Sequence, residues 1–356
     1  MAPAAFALAA PAAFAKDITI ATYDVGLTRS GPGITLQHLT RGDDPQVEAE
    51  IAVIAHLDAD VLLLTGIDYD YDGAALAALQ KRLGAVQVVY PDALALQPNT
   101  GIPTWLDLNH DGLLSGPRDA QAYGRFAGQD GMAILSRLPI DRAQIVNLTE
   151  LLWKDLPGAH LPPDMTSPET LLQRLSTSGH YVVPVTYAAG RSLKLMVWAA
   201  TPPMFDGPED RNGRRNADEA ALWLHLLAGD LPQGPDATYP PPAAPYVLMG
   251  EPNTDPADGD GRHEALQALL SSPHLQDPQP KGTSGHIDAG QHGDPALDTA
   301  LVGKTPIGLR LDVILPSIDI TVRQAGVMWP ADSDPFAATL ALASPHRPVW
   351  AKLTLP

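Results

Sequence analysis

At 356 residues with 45% hydrophobic content, the chain is long enough to bury a substantial core, which excludes global disorder. Its formal charge of -18 disfavours nucleic acid as a partner, because affinity for phosphate polyanions comes from Lys and Arg. The absence of cysteine excludes disulfides, thiolate catalysis and cysteine-ligated zinc, and the 36 prolines and 30 glycines predict long loops rather than a helical bundle.

The chain opens with small apolar residues from Ala4 to Ala15, ending Ala13-Phe14-Ala15 before Lys16-Asp17. That is an A-x-A-like cleavage pattern, so residues 1–15 read as an export signal and 16–356 as one domain, periplasmic or extracellular. The run is too short to span a bilayer, no later segment is long enough, and no membrane span is expected.

Asp17 to Val25 reads as a strand leading into the turn Asp24-Val25-Gly26. Gln46 to Leu57 has helical spacing, with Val47, Ile51, Ile54 and Leu57 on one face. Asp60 to Leu64 is a second buried strand and Gly73 to Leu83 a second helix, an order that predicts an α/β fold with a helix-covered sheet. From Leu94 to Gly131 the chain makes a long Gly-, Pro-, Asn- and Asp-rich excursion, returning to the sheet at Gly131 to Leu135. Tyr181 to Ala188 and Leu193 to Ala199 form a strand pair around Ala189-Gly190-Arg191. Helices are expected over Asn216 to Leu227 and Ala265 to Leu270, and late strands over Leu309 to Leu315, Ile318 to Val322 and Val349 to Leu355. Residues 232–244 and 277–295 read as surface loops.

The most informative stretch runs from Tyr246 to Pro256. An apolar strand, Tyr246 to Met249, is cut off by Gly250 and Pro252, and Glu251, Asn253 and Asp255 follow on alternate residues. That pattern either delivers polar side chains into a cleft at a sheet edge or shapes a turn.

Two acidic loops invite a calcium reading. Asp68-Tyr69-Asp70-Tyr71-Asp72-Gly73 and Asp107-Leu108-Asn109-His110-Asp111-Gly112 both fit the first half of a calcium loop. The closing bidentate Glu is missing, since Leu79 and Arg118 stand at the twelfth positions. A structural Ca2+ on Asp107, Asn109 and Asp111 competes with an ordinary Asp/Asn/Gly turn, and acidic residues favouring the helix start at Gly73 account for the first loop. Arg211 and Arg214, in the basic run Arg211 to Arg215, either receive an anionic substrate or pair with Glu209, Asp210 and Asp218. His110, His160 and His180 read as structural.

Four segments, taken in order, carry a resemblance. They are Thr201 to Asn216, Gly250-Glu251-Pro252-Asn253, Leu309 to Ser317 with Asp312 inside it, and Ala343-Ser344-Pro345-His346-Arg347. Together they resemble the endonuclease/exonuclease/phosphatase superfamily, most closely its secreted bacterial branch, from Ile18 to Leu355. The resemblance implies the DNase-I-like fold, a four-layer α/β sandwich of two packed sheets flanked by helices. It also implies hydrolysis of a small phosphoester with Mg2+ or Mn2+, in which charge stabilisation and water activation supply the rate.

Carried residue by residue, the resemblance places Asn253 and His346 on the phosphate, with Asp312 orienting the imidazole. Glu251 stands where the family has Asp, and Asp24 where it has a metal-side Asn. Gly66, Ala199 and Pro345 fall where a metal-binding Glu, a His and an Asp are expected. These losses imply activity that is weak or absent. Two alternatives stand beside that: a non-catalytic binding or scaffolding protein using the old cleft or the calcium loops, and a working enzyme in which Asp24, with Asp68 or Asp70, rebuilds a shifted metal site.

Overall fold

The computed structural model describes residues 16–232 and 238–356. The export-signal expectation for residues 1–15, and part of the loop expected over 232–244, lie outside them.

The first half of the chain runs β1 (Lys16–Leu27), α1 (Ile34–Arg41), α2 (Pro45–Leu57), β2 (Val61–Ile67), α3 (Ala74–Ala85), β3 (Asp92–Leu96) and β4 (Gly131–Ser136). There follow β5 (Val146–Asn147), α4 (Ser167–Leu172), β6 (Gly179–Ala188), β7 (Arg191–Ala199), α5 (Arg211–Ala228), β8 (Tyr246–Glu251) and α6 (Glu264–Leu270). The chain closes with β9 (Ala300–Val302), β10 (Ile307–Leu309), β11 (Val313–Pro316), β12 (Thr321–Val327), α7 (Ala337–Ala343) and β13 (Val349–Leu355). A six-stranded sheet has the order β12-β13-β1-β2-β4-β3, a five-stranded sheet β11-β8-β7-β6-β5, and β9 and β10 form a separate ribbon.

The strands read as continuous apolar runs because both faces of each sheet are covered. In β2 the alternation is still visible: Val61 and Leu63 enter the core between the two sheets, while Leu62 and Leu64 pack under the helices. The same parity sends Ile18 and Ile20 of β1, Met132 and Ile134 of β4, Val197 of β7 and Met249 of β8 into the inter-sheet core. Trp223, Leu226 and Leu269 of the outer helices cover the far side of the five-stranded sheet. The result is the expected four-layer sandwich, helices outside and two mixed sheets within.

Each sheet is mixed for a specific reason. β1 pairs parallel with β2, and β7 parallel with β8, whereas the other pairings are antiparallel. The carboxyl ends of these four strands carry Asp24, Gly66, Ala199 and Glu251. No helix among the described residues is long and apolar enough to cross a membrane.

Some expected elements move. The strand expected from Leu309 to Leu315 is two strands, β10 and β11, interrupted where the Arg310 amide donates to Asp255 at 2.6 Å and the Asp312 amide to Thr299 Oγ1 at 3.1 Å. There the chain changes partner, from the β9 ribbon to β8. Ile318 to Ile320 is a turn, closed by the Ile320 amide on Ser317 O at 3.1 Å, and β12 begins only at Thr321. The helix expected from Asn216 begins at Arg211. Helices α1, α4 and α7 and strand β3 had no counterpart in the expectation. Of these, α4 was legible, since Thr166 and Glu169 form a capping box with Pro168 in the first turn.

Candidate active site

Strand parity builds the site. Residues 18, 20, 22 and 24 of β1 face the other sheet, and at Asp24 the strand passes the edge of the apolar core. Residues 247, 249 and 251 of β8 do the same from the opposite sheet, so Asp24 and Glu251 converge across the gap. His346, just ahead of β13, joins them, and one ligand atom from each of the three lies within 4.8 Å of the others.

The imidazole is held from behind. Its Nδ1 pairs with Asp312 Oδ2 at 3.0 Å, and that oxygen also accepts from Thr299 Oγ1 at 2.7 Å. The Nε2 is left facing Glu251 Oε1 at 3.9 Å. Burial works against a charge on His346, but Asp312, Asp24 and Glu251 outweigh it and lift its pKa to about 10. The loop that carries it is tied to β1 by Ser344 Oγ, which donates to Asp24 O at 2.7 Å.

Glu251 is only 5% exposed, and its carboxylate accepts no hydrogen bond among the described residues. Burial pushes its carboxyl well above the ordinary range, and the neighbouring Asp24 carboxylate adds to the shift. Asp24 Oδ1 accepts from the Gly26 amide at 2.7 Å, and Oδ2 has no donor among the described residues. A buried carboxylate without donors and a second carboxylate beside it are oxygen ligands that suit a divalent cation. The residues present therefore fit such an ion.

Gly66 explains why that second carboxylate comes from β1. Its φ is 65°, and the β2 register is irregular between Leu64 and Ile67. A Cβ built on Gly66 would lie 2.8 Å from Asp24 Cγ and closer still to Oδ1. The Asp24 side chain thus occupies the space that a side chain at position 66 would need. At the other two positions, Ala199 turns only a methyl toward the inter-sheet side, and Pro345 offers its carbonyl to the Leu301 amide at 3.0 Å.

The three polar residues at the end of β8 and just beyond it part company. Glu251 faces the cleft, whereas Asn253, at φ 56°, donates through Nδ2 to Ala200 O at 3.0 Å. Asp255 anchors its own loop, accepting from the amides of Ala257 at 2.7 Å, Asp258 at 2.8 Å and Arg310 at 2.6 Å.

Asp68 and Asp70 do not join the cluster. Asp68 is buried and accepts from Thr28 Oγ1, the Arg29 amide, Thr35 Oγ1 and the Asp130 amide, at 2.8, 3.0, 3.0 and 3.2 Å. Asp70 receives the Ala74 and Ala75 amides at the start of α3, at 2.7 and 2.8 Å. In the second loop Asp107 accepts from the Asp111 and Gly112 amides, at 2.9 and 2.8 Å. Asp111 takes Asn109 Nδ2 and the Leu113 amide, both at 2.9 Å.

The basic run is engaged in structure. Arg211 reaches Gln173 Oε1 at 3.2 Å and Glu169 Oε2 at 3.5 Å, and Arg214 donates to the Glu209 carbonyl at 3.0 Å. Asp210 pairs with Arg262 at 2.7 Å, and Asp218 accepts from Trp153 Nε1 at 2.6 Å and the His160 amide at 2.7 Å. Arg215 is buried and donates to the carbonyls of Arg174, Leu175 and Ser176. His180 is buried between Ser176 Oγ at 2.7 Å and Glu219 O at 3.0 Å, and burial drives its pKa down to about 3.

Residues that sequence reasoning missed supply the supports. Asn216 Nδ2 bridges Thr201 O and Pro252 O, each at 2.7 Å, and Glu219 accepts from the Thr201 amide at 2.8 Å.

A description headed Endonuclease/Exonuclease/phosphatase family matches residues 36–334. Among solved structures, an endonuclease/exonuclease/phosphatase from Beutenbergia cavernae is 17% identical, with a TM-score of 0.54 over 95% of this chain and 72% of that one. A family protein from Bacteroides thetaiotaomicron is 13% identical, with a TM-score of 0.51 over 97% of this chain and 100% of the other. At these identities the likeness is one of fold. No curated protein matches the chain.

Proposed function

The chain belongs to the endonuclease/exonuclease/phosphatase family, and from that premise we propose that it is a divalent-cation-dependent hydrolase of small phosphoesters, exported and of reduced activity. The observation that carries this reading is the convergence of Asp24, Glu251 and His346 within 4.8 Å, with Glu251 buried and without a hydrogen-bond donor. Asp24 and Glu251 would hold Mg2+ or Mn2+, with His346 beside them. When bound, that ion supplies charge stabilisation for the phosphoryl group and lowers the pKa of water.

The chain's own residues do the rest. Asp312 orients the His346 imidazole and keeps it positively charged, so that Nε2 can face a phosphoryl oxygen. Asn253, held against Ala200 O, stands two residues beyond Glu251 and offers its remaining amide proton. The methyl of Ala199 and the ring of Pro345 carry no proton, which is why the rate is set below that of a complete set.

The test is turnover of 4-nitrophenyl phosphate and bis(4-nitrophenyl) phosphate by the mature protein with Mn2+ or Mg2+. His346→Ala is expected to lower kcat by about 10²- to 10⁴-fold, the usual worth of such a group. Absence of cation-dependent turnover in the wild type, with the fold intact, would overturn the reading in favour of a binding or scaffolding protein.

A further inference from the structure

Two buried hydroxyls stand next to the cation-binding carboxylates, and the chemistry proposed so far gives them no task. On β1 the residues that face the other sheet run Ile18, Ile20, Thr22 and Asp24, and on β2 they run Val61, Leu63 and Thr65. Both strands therefore change from aliphatic to hydroxyl side chains where the apolar core gives way to the cleft. The two strands are parallel, with Thr22 registered against Leu63 and Asp24 against Thr65. The irregularity of β2 against β4 begins beyond Leu64, but on its β1 side the register holds through Thr65. Registered neighbours in such a pair share a face on strands about 5 Å apart. Thr65 thus stands beside Asp24, and Thr22 one step beneath it in the same strand. From the opposite sheet β8, which brings Glu251, packs against both strands.

Neither hydroxyl is used by the fold. Thr22 and Thr65 are each 0% exposed, and neither Oγ1 has a hydrogen-bond partner among the described residues. A buried polar group left unpaired costs stability, and a valine of the same branched shape would sit in either strand without that cost. Buried hydroxyls are almost always satisfied by protein, by ordered water or by an ion, so a pair of orphans at one place points to a ligand. Two hydroxyls next to Asp24, with the donor-free carboxylate of Glu251 opposite, supply the roughly two to four polar partners that a buried water needs.

Resting on the proposed cation site, we propose that Thr22 and Thr65 are positioning residues for it, their hydroxyls anchoring ordered water against the ion that Asp24 and Glu251 would hold. Mg2+ gives up its waters reluctantly and is usually bound through one or two carboxylates with several waters kept. A site with two protein carboxylates therefore depends on what fixes those waters. Position 66 has no room for a further ligand, because the Asp24 side chain fills its space. Its neighbour Thr65 contributes through water instead. Outer partners of this kind orient the direct ligands and raise affinity without touching the ion.

The experiment is calorimetric titration of Mn2+ into metal-free wild type, Thr65→Val, Thr22→Val and Thr65→Ser, with a melting curve for each metal-free protein. Valine keeps the branched shape and removes only the hydroxyl. Each valine variant should bind Mn2+ about 10- to 100-fold more weakly than wild type. Each should also melt no lower than wild type, since it rids the interior of an unpaired polar group. Thr65→Ser, which keeps the hydroxyl, should retain wild-type affinity. Wild-type affinity in both valine variants overturns the assignment and leaves the cation site standing. A loss in Thr65→Ser equal to that in Thr65→Val, or a loss accompanied by a lower melting temperature, also overturns it, by tracing the effect to packing. A wild type that binds no Mn2+ overturns the cation site and this assignment together.

Discussion

The two ends of the acidic inventory behave in opposite ways. In the loops Asp68–Asp72 and Asp107–Asp111, the carboxylates of Asp68, Asp70, Asp107 and Asp111 are turned onto amides and hydroxyls of their own neighbourhood. In the cleft, Glu251 is buried with no donor and faces Asp24 and His346 from the opposite sheet. The loops are richer in acid, yet the cleft is the place where lone pairs remain free. What separates a turn from a ligand site is thus the supply of local donors, and strand ends beneath a packed core provide few of them.

The largest way to break this contrast is to remove a loop carboxylate that four donors share. Asp68→Ala leaves two amides and the Thr28 hydroxyl without an acceptor in a half-buried setting, while Thr35 Oγ1 keeps Leu27 O at 2.8 Å. At about 1–3 kcal/mol for each group stranded, the loss in chemical-denaturation stability should reach several kcal/mol. Asp107→Ala, in an exposed loop, should cost no more than about 1 kcal/mol and leave Mn2+ affinity unchanged.

The cleft is sharpened by position 66. Gly66→Glu should weaken Mn2+ binding rather than strengthen it, because the new side chain collides with Asp24 and must adopt φ 65°. The left-handed backbone alone costs about 1–2 kcal/mol. The double variant Asp24→Gly with Gly66→Glu removes the collision, and calorimetry should show more affinity in it than in Gly66→Glu.

The smallest expected effect is on pH dependence. Glu219 has its carboxyl lifted to about 7, chiefly by desolvation. A carboxyl whose folded pKa is raised favours folding below its unfolded value and loses that contribution as pH rises through the folded value. The metal-free protein should therefore lose thermal stability between about pH 4.5 and 7. His346, lifted to about 10, acts in the same direction at higher pH: its contribution is complete below its unfolded pKa and is lost as pH rises through about 10. Melting temperatures across that range, with and without Mn2+, would check the sign, and Mn2+ should reduce the loss.

Much of the scaffold was legible because periodicity reports burial. The apolar runs of β1, β2, β6, β7, β8 and β13 and the face of α2 all lie within a few residues of where spacing put them. The pairing of the strands into two sheets was not legible from spacing, since alternation says which residues share a face and nothing about partners. Glu251, Asp312 and His346 were singled out through their motifs, and the structure brings them together. The role of Asp24 was half visible: the extra charge was evident, but its filling of the Gly66 space depends on the irregular register of β2.

The most direct test of the account is calorimetric titration of Mn2+ and Mg2+ into metal-free wild type, Asp24→Asn and Asp107→Ala. One cation site, retained in Asp107→Ala and weakened in Asp24→Asn by more than the roughly 10- to 100-fold that an outer partner is worth, is the predicted result. Binding that survives Asp24→Asn, or that disappears with Asp107→Ala, would contradict it.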